Sequence, residues 1–222
     1  SNSFRANWSR TTNRNDTKIV IIIMKYTLIL FSTIIFMACN TSKTSVDSKK
    51  VVIDEVEVIE REKAAEVNAE KNDRGYLIGI VNKESFTDDA YKSWFDSRYE
   101  EYTTDKEVIE QLKDEINNFK IKGFMGTWCG DSRREVPRFY KILEETGFNE
   151  DYFELISVGR NKRTPDNLQE GYNLIRVPTF IFLKNDKEVG RFVEYPRETI
   201  EKDILKIVQG KSYKHSYDKS ED

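Results

Sequence analysis

The spacing of apolar residues separates the chain into an N-terminal part without a globular pattern and a C-terminal part that has one. From Tyr76 onward, short apolar runs typical of strands alternate with segments whose apolar residues recur every three or four positions, as on one face of a helix. We predict strands at 76–81, 121–125, 152–158, 177–183 and 188–193.

Helix-opening residues precede each of the helical segments. A first helix follows Phe86, a second opens at a capping box beginning with Thr104, and a third follows Cys129. A short helix is expected at Thr164-Pro165, and a last one ends at Gly210. This order predicts an α/β fold, a mixed sheet with helices on both faces, and an extra strand and helix at 76–101.

The apolar run near the N-terminus is interpreted as a signal peptide. Met24-Lys25 forms a short positive start, an apolar stretch follows, and Ala38 stands directly before Cys39. The segment 24–38 resembles a bacterial lipoprotein signal, which implies acylation of Cys39 and attachment to a membrane. An uncleaved membrane anchor and a plain secretory signal are the alternatives. Residues 1–23 are interpreted as translated sequence upstream of the start at Met24.

The composition of the rest of the chain separates a tether, a domain and a tail, and it limits the kinds of partner that we expect. Residues 39–74 are dense in charged residues and are predicted to form a flexible tether, with a domain at 75–210 and a disordered tail at 211–222 that contains His215. Lys and Arg number 36 against 39 Asp and Glu, so nothing in the charge indicates nucleic acid. The one basic cluster, Arg160-Asn161-Lys162-Arg163, is read as a solvated loop. Two cysteines and one histidine are too few for a structural zinc site, and no cofactor is expected.

Two motifs carry the chemistry, and they lie almost fifty residues apart. The first is Trp128-Cys129-Gly130-Asp131-Ser132, and the second is Val177-Pro178-Thr179. Together they resemble the thiol site of thioredoxin-like proteins, in particular bacterial ones with Trp-Cys-Gly-Asp-Ser. The resemblance spans roughly 106–209 and implies a cis peptide before Pro178, opposite Cys129. That family carries a second cysteine at the position of Ser132 and a buried acid at the position of Gly123.

A single cysteine in this position restricts the reaction. The unpaired N–H groups at the start of a helix favour a thiolate, as do the Ser132 hydroxyl and Arg133 or Arg134, whereas Asp131 opposes it. Serine cannot release a mixed disulfide as a second cysteine does, so isomerisation or an external thiol is required. The candidate catalytic residues are Cys129, Ser132 and Trp128. The candidate substrate-binding residues are Val177, Pro178 and Thr179, the candidate lipidation site is Cys39, and no metal ligand is proposed.

Three functions remain open at this stage. The first is thiol-disulfide exchange on exported proteins by a membrane-tethered protein, with those proteins or an external thiol reductant as partners. The second is a non-catalytic module that binds peptides or proteins, and the third is glutathione-dependent cluster binding, whose proteins carry a different motif. The expected location is the cell envelope of a Gram-negative bacterium, either facing the periplasm or at the outer membrane.

Overall fold

A computed structural model describes residues 63–219, which form a six-stranded sheet with four α-helices. The signal segment, Cys39 and the tether up to residue 62 lie outside the described residues. In chain order the elements are β1 (Glu70–Lys71), β2 (Leu77–Val81), α1 (Asp89–Glu101), α2 (Lys106–Ile116), β3 (Lys120–Met125), α3 (Gly130–Thr146), β4 (Phe153–Ser157), β5 (Thr179–Lys184), β6 (Lys187–Val193) and α4 (Ile200–Val208). Two short 3₁₀ turns lie at Lys83–Phe86 and Glu150–Tyr152.

The sheet is mixed, as predicted, and places β3 near its middle. Its strand order is β1-β2-β4-β3-β5-β6, with β3 parallel to β4 and every other neighbouring pair antiparallel. Because β3 has a neighbour on both sides, the chain leaving Met125 enters the candidate motif from a rigid strand. The extra N-terminal element is also present, as β2 and α1.

The two faces of the sheet bury different cores, as the alternation of side chains along each strand requires. Ile121, Leu155 and Phe180 belong to the larger core, which also contains buried residues from all four helices. Phe124 and Ile156 belong to a smaller core on the opposite face. The predicted inward-facing residues of α2, α3 and α4 are all buried.

The segment between β4 and β5 departs from the prediction. The short helix expected at Thr164-Pro165 is replaced by turns, although Thr164 Oγ1 still accepts a hydrogen bond from the Leu168 N–H at 2.9 Å. This segment covers the smaller core with Leu168, Tyr172 and Leu174. The four helices contact one another around the larger core, so turns rather than a helix cover the other face within 63–219.

The start of α2 also differs in detail from the predicted capping box. Asp105, rather than Thr104, is the N-cap residue, and its carboxylate accepts hydrogen bonds from the N–H groups of Glu107 and Val108. The Thr104 hydroxyl instead donates to Glu145 on α3. The tertiary contact with α3 thus shifts the cap by one residue.

The described parts of both flanking segments, 63–74 and 211–219, contact the folded domain. Within the predicted tether, residues 63–74 run along the sheet, β1 pairs with β2, and the Ala64 N–H donates to the Asp151 carbonyl at 2.6 Å. Within the predicted disordered tail, Tyr213 packs against the larger core and donates its hydroxyl to Asp203 at 3.0 Å. Pairing with the sheet edge and burial of an aromatic ring outweigh the polar composition of these segments.

Candidate thiol site

The end of β3 positions Cys129 at the first turn of α3. The chain turns at Gly126, whose carbonyl accepts the Cys129 N–H at 2.9 Å, and Cys129 is the N-cap residue of the helix. Its side chain makes no capping hydrogen bond, so backbone N–H groups at the helix start lack that partner. The thiol is free and half-buried.

The second motif lies directly against this cysteine. The peptide bond between Val177 and Pro178 is cis, and the Cys129 S–H donates to the Val177 carbonyl oxygen at 3.3 Å. Thr179 is buried at the start of β5, where its hydroxyl donates to the Arg176 carbonyl at 2.8 Å. Thr179 therefore supports the loop, while Val177 and Pro178 lie beside the sulfur.

Trp128 is held over the backbone next to the cysteine. Its indole N–H donates to the Val158 carbonyl at 2.8 Å. A Cβ at Gly126 would lie only 2.5 Å from that indole nitrogen, so a residue without a side chain is required there. The Arg160 guanidinium lies 5.4 Å from the Trp128 ring centroid and donates to the Tyr76 hydroxyl, which lowers the pKa of Tyr76. Sequence reasoning missed Arg160, because its basic run has the composition of a solvated loop.

The charge of Asp131 is balanced inside the helix. Its carboxylate accepts from Arg134 Nη2 at 2.7 Å, and Arg134 Nε also donates to the buried Glu135 at 2.6 Å. Burial acts to lower the pKa of Arg134, but the two carboxylates outweigh it and raise that pKa. Asp131 therefore opposes a thiolate less than its position in the sequence indicated. Arg133 donates Nε to the Thr127 carbonyl at 2.6 Å, on the same side of the site.

The C-terminal tail reaches the loop that carries the cis-proline. The Glu194 N–H donates to the Pro178 carbonyl at 2.7 Å, and its carboxylate accepts from the Tyr217 hydroxyl. The Arg176 guanidinium lies 5.0 Å from the Tyr217 ring centroid. Burial raises the pKa of Glu194, and the negative charge of Asp131 acts in the same direction.

Comparisons with known proteins agree with this arrangement. A family model described as thioredoxin matches residues 83–206, more than half of the chain. The chain belongs to the thioredoxin family. It is 28% identical over 110 residues to a thioredoxin-like protein of Acanthamoeba polyphaga mimivirus, covering 50% of this chain and 77% of the viral protein. It is also 28% identical over 93 residues to Thioredoxin H2 of Arabidopsis thaliana, covering 42% of this chain and 65% of that protein, so it spans just under two thirds of the plant relative.

Among solved structures, the chain is similar to a protein of unknown function from Pseudomonas aeruginosa. The TM-score is 0.46 and the identity is 15%, over 59% of this chain and 93% of that one.

The chain differs from the family pattern at Ser132 and Gly123, and the packing around both positions fits the residues that are present. Ser132 is fully buried, and its hydroxyl accepts a hydrogen bond from the Gly126 N–H at 3.2 Å rather than acting as a second thiol. At Gly123, a Cβ would lie 2.7 Å from Leu155 Cδ1 and 2.9 Å from Phe153 Cε2. Apolar side chains therefore occupy the space in which the family carries its buried acid.

Residues 63–219 contain no group of three or more His, Cys, Asp or Glu side chains arranged to hold a metal ion. His215 is half-buried in the tail, where its Nδ1 accepts from the Tyr217 N–H at 3.1 Å. Over the same residues, no helix has the length and apolar character needed to cross a membrane. Cys39, the candidate lipidation site, lies outside this region.

Proposed function

We propose that this protein exchanges disulfides through Cys129 alone. The observation that carries the proposal is the position of the sulfur: half-buried, at the start of α3, and 3.3 Å from the Val177 carbonyl beside a cis-proline. An extended polypeptide that pairs with the backbone at Val177 brings its own sulfur toward Cys129. Cysteines at a helix N-terminus are often nucleophilic, because that position lowers the pKa of the thiol.

The reaction forms one disulfide as it breaks another. The Cys129 thiolate attacks one sulfur of a substrate disulfide, and the other substrate sulfur leaves as a thiolate with the electron pair. A second thiol of the substrate, or an external thiol, then attacks the mixed disulfide and releases Cys129 as its thiolate. When the substrate supplies that thiol, the result is isomerisation without net oxidation. Ser132 takes no part in this release, because it has no sulfur.

A second candidate function is a non-catalytic module that uses the same groove to bind peptides or proteins. Two observations favour it. The S–H of Cys129 donates to the Val177 carbonyl, so a hydrogen bond within the groove holds the thiol. Ser132 is buried and hydrogen-bonded to Gly126, so the described site contains one thiol only.

Alkylation kinetics separate the two functions. The full chain carrying Cys39→Ala has Cys129 as its one remaining cysteine. An ordinary thiol with a pKa of about 8.5 reacts roughly 25-fold faster at pH 9 than at pH 7, because its thiolate fraction changes by that factor. For a nucleophilic Cys129 we expect a change of less than about threefold. A full 25-fold dependence would favour the binding module.

We further propose that acylation of Cys39 holds the domain at a membrane outside the cytoplasm of a Gram-negative bacterium, where exported proteins are its substrates. The pattern of an apolar stretch followed by Ala38-Cys39 supports this. In the native host, palmitate should label the wild-type protein but not the Cys39→Ala variant. Labelling that persists in the variant would contradict the tether while leaving the thiol chemistry of Cys129 untouched.

A further inference from the structure

Helix α1 forms one wall of a cavity beside the thiol site. The cavity has a volume of about 350 Å³ and is lined by Trp94 and Arg98 from α1 and by Gly130, Asp131, Arg133 and Arg134 from the first turns of α3. Cys129 is the N-cap residue of α3, immediately before Gly130. The extra helix that distinguishes the N-terminal part of this domain thus lies where it can contact a substrate.

The positive charge in this cavity is only partly balanced. Arg134 is paired with Asp131 and Glu135. Among the described residues, Arg98 pairs with Glu101 through a long contact of 3.5 Å between largely exposed side chains. Within residues 63–219, Arg133 forms no ion pair; its Nε donates to the Thr127 carbonyl at 2.6 Å, and its guanidinium lies 5.9 Å from the Trp94 ring centroid. Two arginines therefore remain available to an anion.

Trp94 lines the cavity, and the start of α3 forms the facing wall. The indole Nε1 of Trp94 is buried and has no hydrogen-bond partner among the described residues. The start of α3 adds backbone N–H groups that no side chain at Cys129 caps. Arginine side chains and a helix start are both hydrogen-bond donors, and the complementary ligand is an anionic oxygen.

We propose that this cavity binds the carboxylate of an acidic residue located near the cysteine of a polypeptide substrate. The choice of occupant rests on the function proposed above: the backbone at Val177 takes an extended chain, and the cavity lies on the α1 side of the same cysteine. A Glu or Asp close to the reacting cysteine then reaches Arg98 and Arg133. The cavity makes the domain selective for acidic sequences around the substrate thiol.

The test uses equilibrium binding and does not depend on thiol reactivity. Two short peptides are compared by fluorescence anisotropy on the full chain carrying Cys129→Ser. They are identical, with Ser at the cysteine position, except that the flanking residues are Glu in one and Gln in the other. Two partly exposed charge contacts predict binding of the Glu peptide roughly fivefold tighter at low salt. This preference should shrink as salt is added.

Arginine variants assign the preference to the cavity. Arg98→Gln and Arg133→Gln should each reduce the Glu/Gln ratio, and the double variant should bring it close to one. Lys92→Gln is the matched control, because Lys92 is also exposed on α1 but does not line the cavity. The proposal is overturned if the Glu peptide shows no measurable binding, or if the two peptides bind equally when Arg98 and Arg133 are unchanged. It is also overturned if Lys92→Gln lowers the Glu/Gln ratio as much as Arg98→Gln does.

A parallel measurement keeps the two proposals separate. In the Cys39→Ala chain, Cys129 is offered the Gln peptide with a cysteine activated as a thiopyridine disulfide. The Cys129 thiolate attacks the peptide sulfur, and thiopyridine leaves with the electron pair. Absence of this reaction contradicts the proposed exchange function, whereas the binding ratio above reports on the cavity alone.

Discussion

Restoring a thiol at position 132 should convert this one-cysteine site into one that releases its own substrate. Residues three apart on a helix have Cβ atoms about 5–6 Å apart, and a small adjustment brings two cysteines at 129 and 132 into disulfide range. The Ser132→Cys thiol can then attack the mixed disulfide at Cys129 and expel the peptide as a thiolate, leaving an intramolecular disulfide.

The expected acceleration follows from proximity. A thiol held within a few ångströms of the mixed disulfide has an effective concentration on the order of 1 M, well below the limit for fully oriented groups. Compared with a millimolar external thiol, release should be about 10³-fold faster. The substitution also has a structural cost, because Ser132 is fully buried and its oxygen accepts the Gly126 N–H at 3.2 Å. Sulfur is a weak acceptor, so we expect a loss of about 1 kcal/mol of stability.

The assay follows release of a fluorescent peptide from Cys129 in the Cys39→Ala background. Ser132→Ala is the matched control, because it removes the same hydrogen bond without supplying a thiol. It should release the peptide at the same rate as the chain that keeps Ser132. If Ser132→Cys releases the peptide no faster than Ser132→Ala, the reasoning about the missing second thiol is refuted.

Three further predictions concern stability. Gly123→Ala should lower the unfolding free energy by about 1–3 kcal/mol, because its Cβ would lie 2.7 Å from Leu155 Cδ1. Burial, and then the hydrogen bond to Glu201, raises the pKa of Tyr102. The contribution of Tyr102 to the unfolding free energy is therefore complete below pH 10 and is lost as the pH rises further. In chemical denaturation, Tyr102→Phe should cost about 1 kcal/mol at neutral pH and reduce the loss of stability at alkaline pH. Burial lowers the pKa of His215, so its contribution to the stability of the tail is complete above the ordinary pKa of 6.5 and is lost as the pH falls further. Amide protection factors at 211–219, each corrected for the intrinsic exchange rate at the same pH, should decrease on acidification, and less so in His215→Gln.

Each of these has an outcome that would contradict it. Gly130→Ala is the control for crowding at Gly123, since a Cβ at Gly130 meets nothing within 4 Å; equal losses for the two variants would show that crowding is not the cause. An unchanged alkaline dependence in Tyr102→Phe would exclude that phenol as its source. Protection factors in the tail that stay constant between about pH 5 and 8 would contradict the account of His215.

Local patterns in the sequence were sufficient to predict most of the strands and helices. The strands predicted at 177–183 and 188–193 leave a turn between them, where Asn185 and Asp186 adopt positive φ angles of 51° and 57°. The amphipathic faces of α2, α3 and α4 are buried as the spacing indicated. Where prediction failed, the deciding contacts were distant in sequence: the cap of α2 depends on the contact of Thr104 with Glu145, and Tyr213 is ordered by Asp203.

The amino-acid sequence by itself determined the order of strands and helices, the two motifs and the presence of one thiol in the site, because each depends on residue identity and short-range periodicity. Only the tertiary structure decided what surrounds that thiol. The contact of Cys129 with Val177, the position of Arg160 at Trp128 and the basic cavity between α1 and α3 all join segments that are far apart along the chain. Such contacts depend on how complete elements pack, and residue spacing within one element carries no information about them.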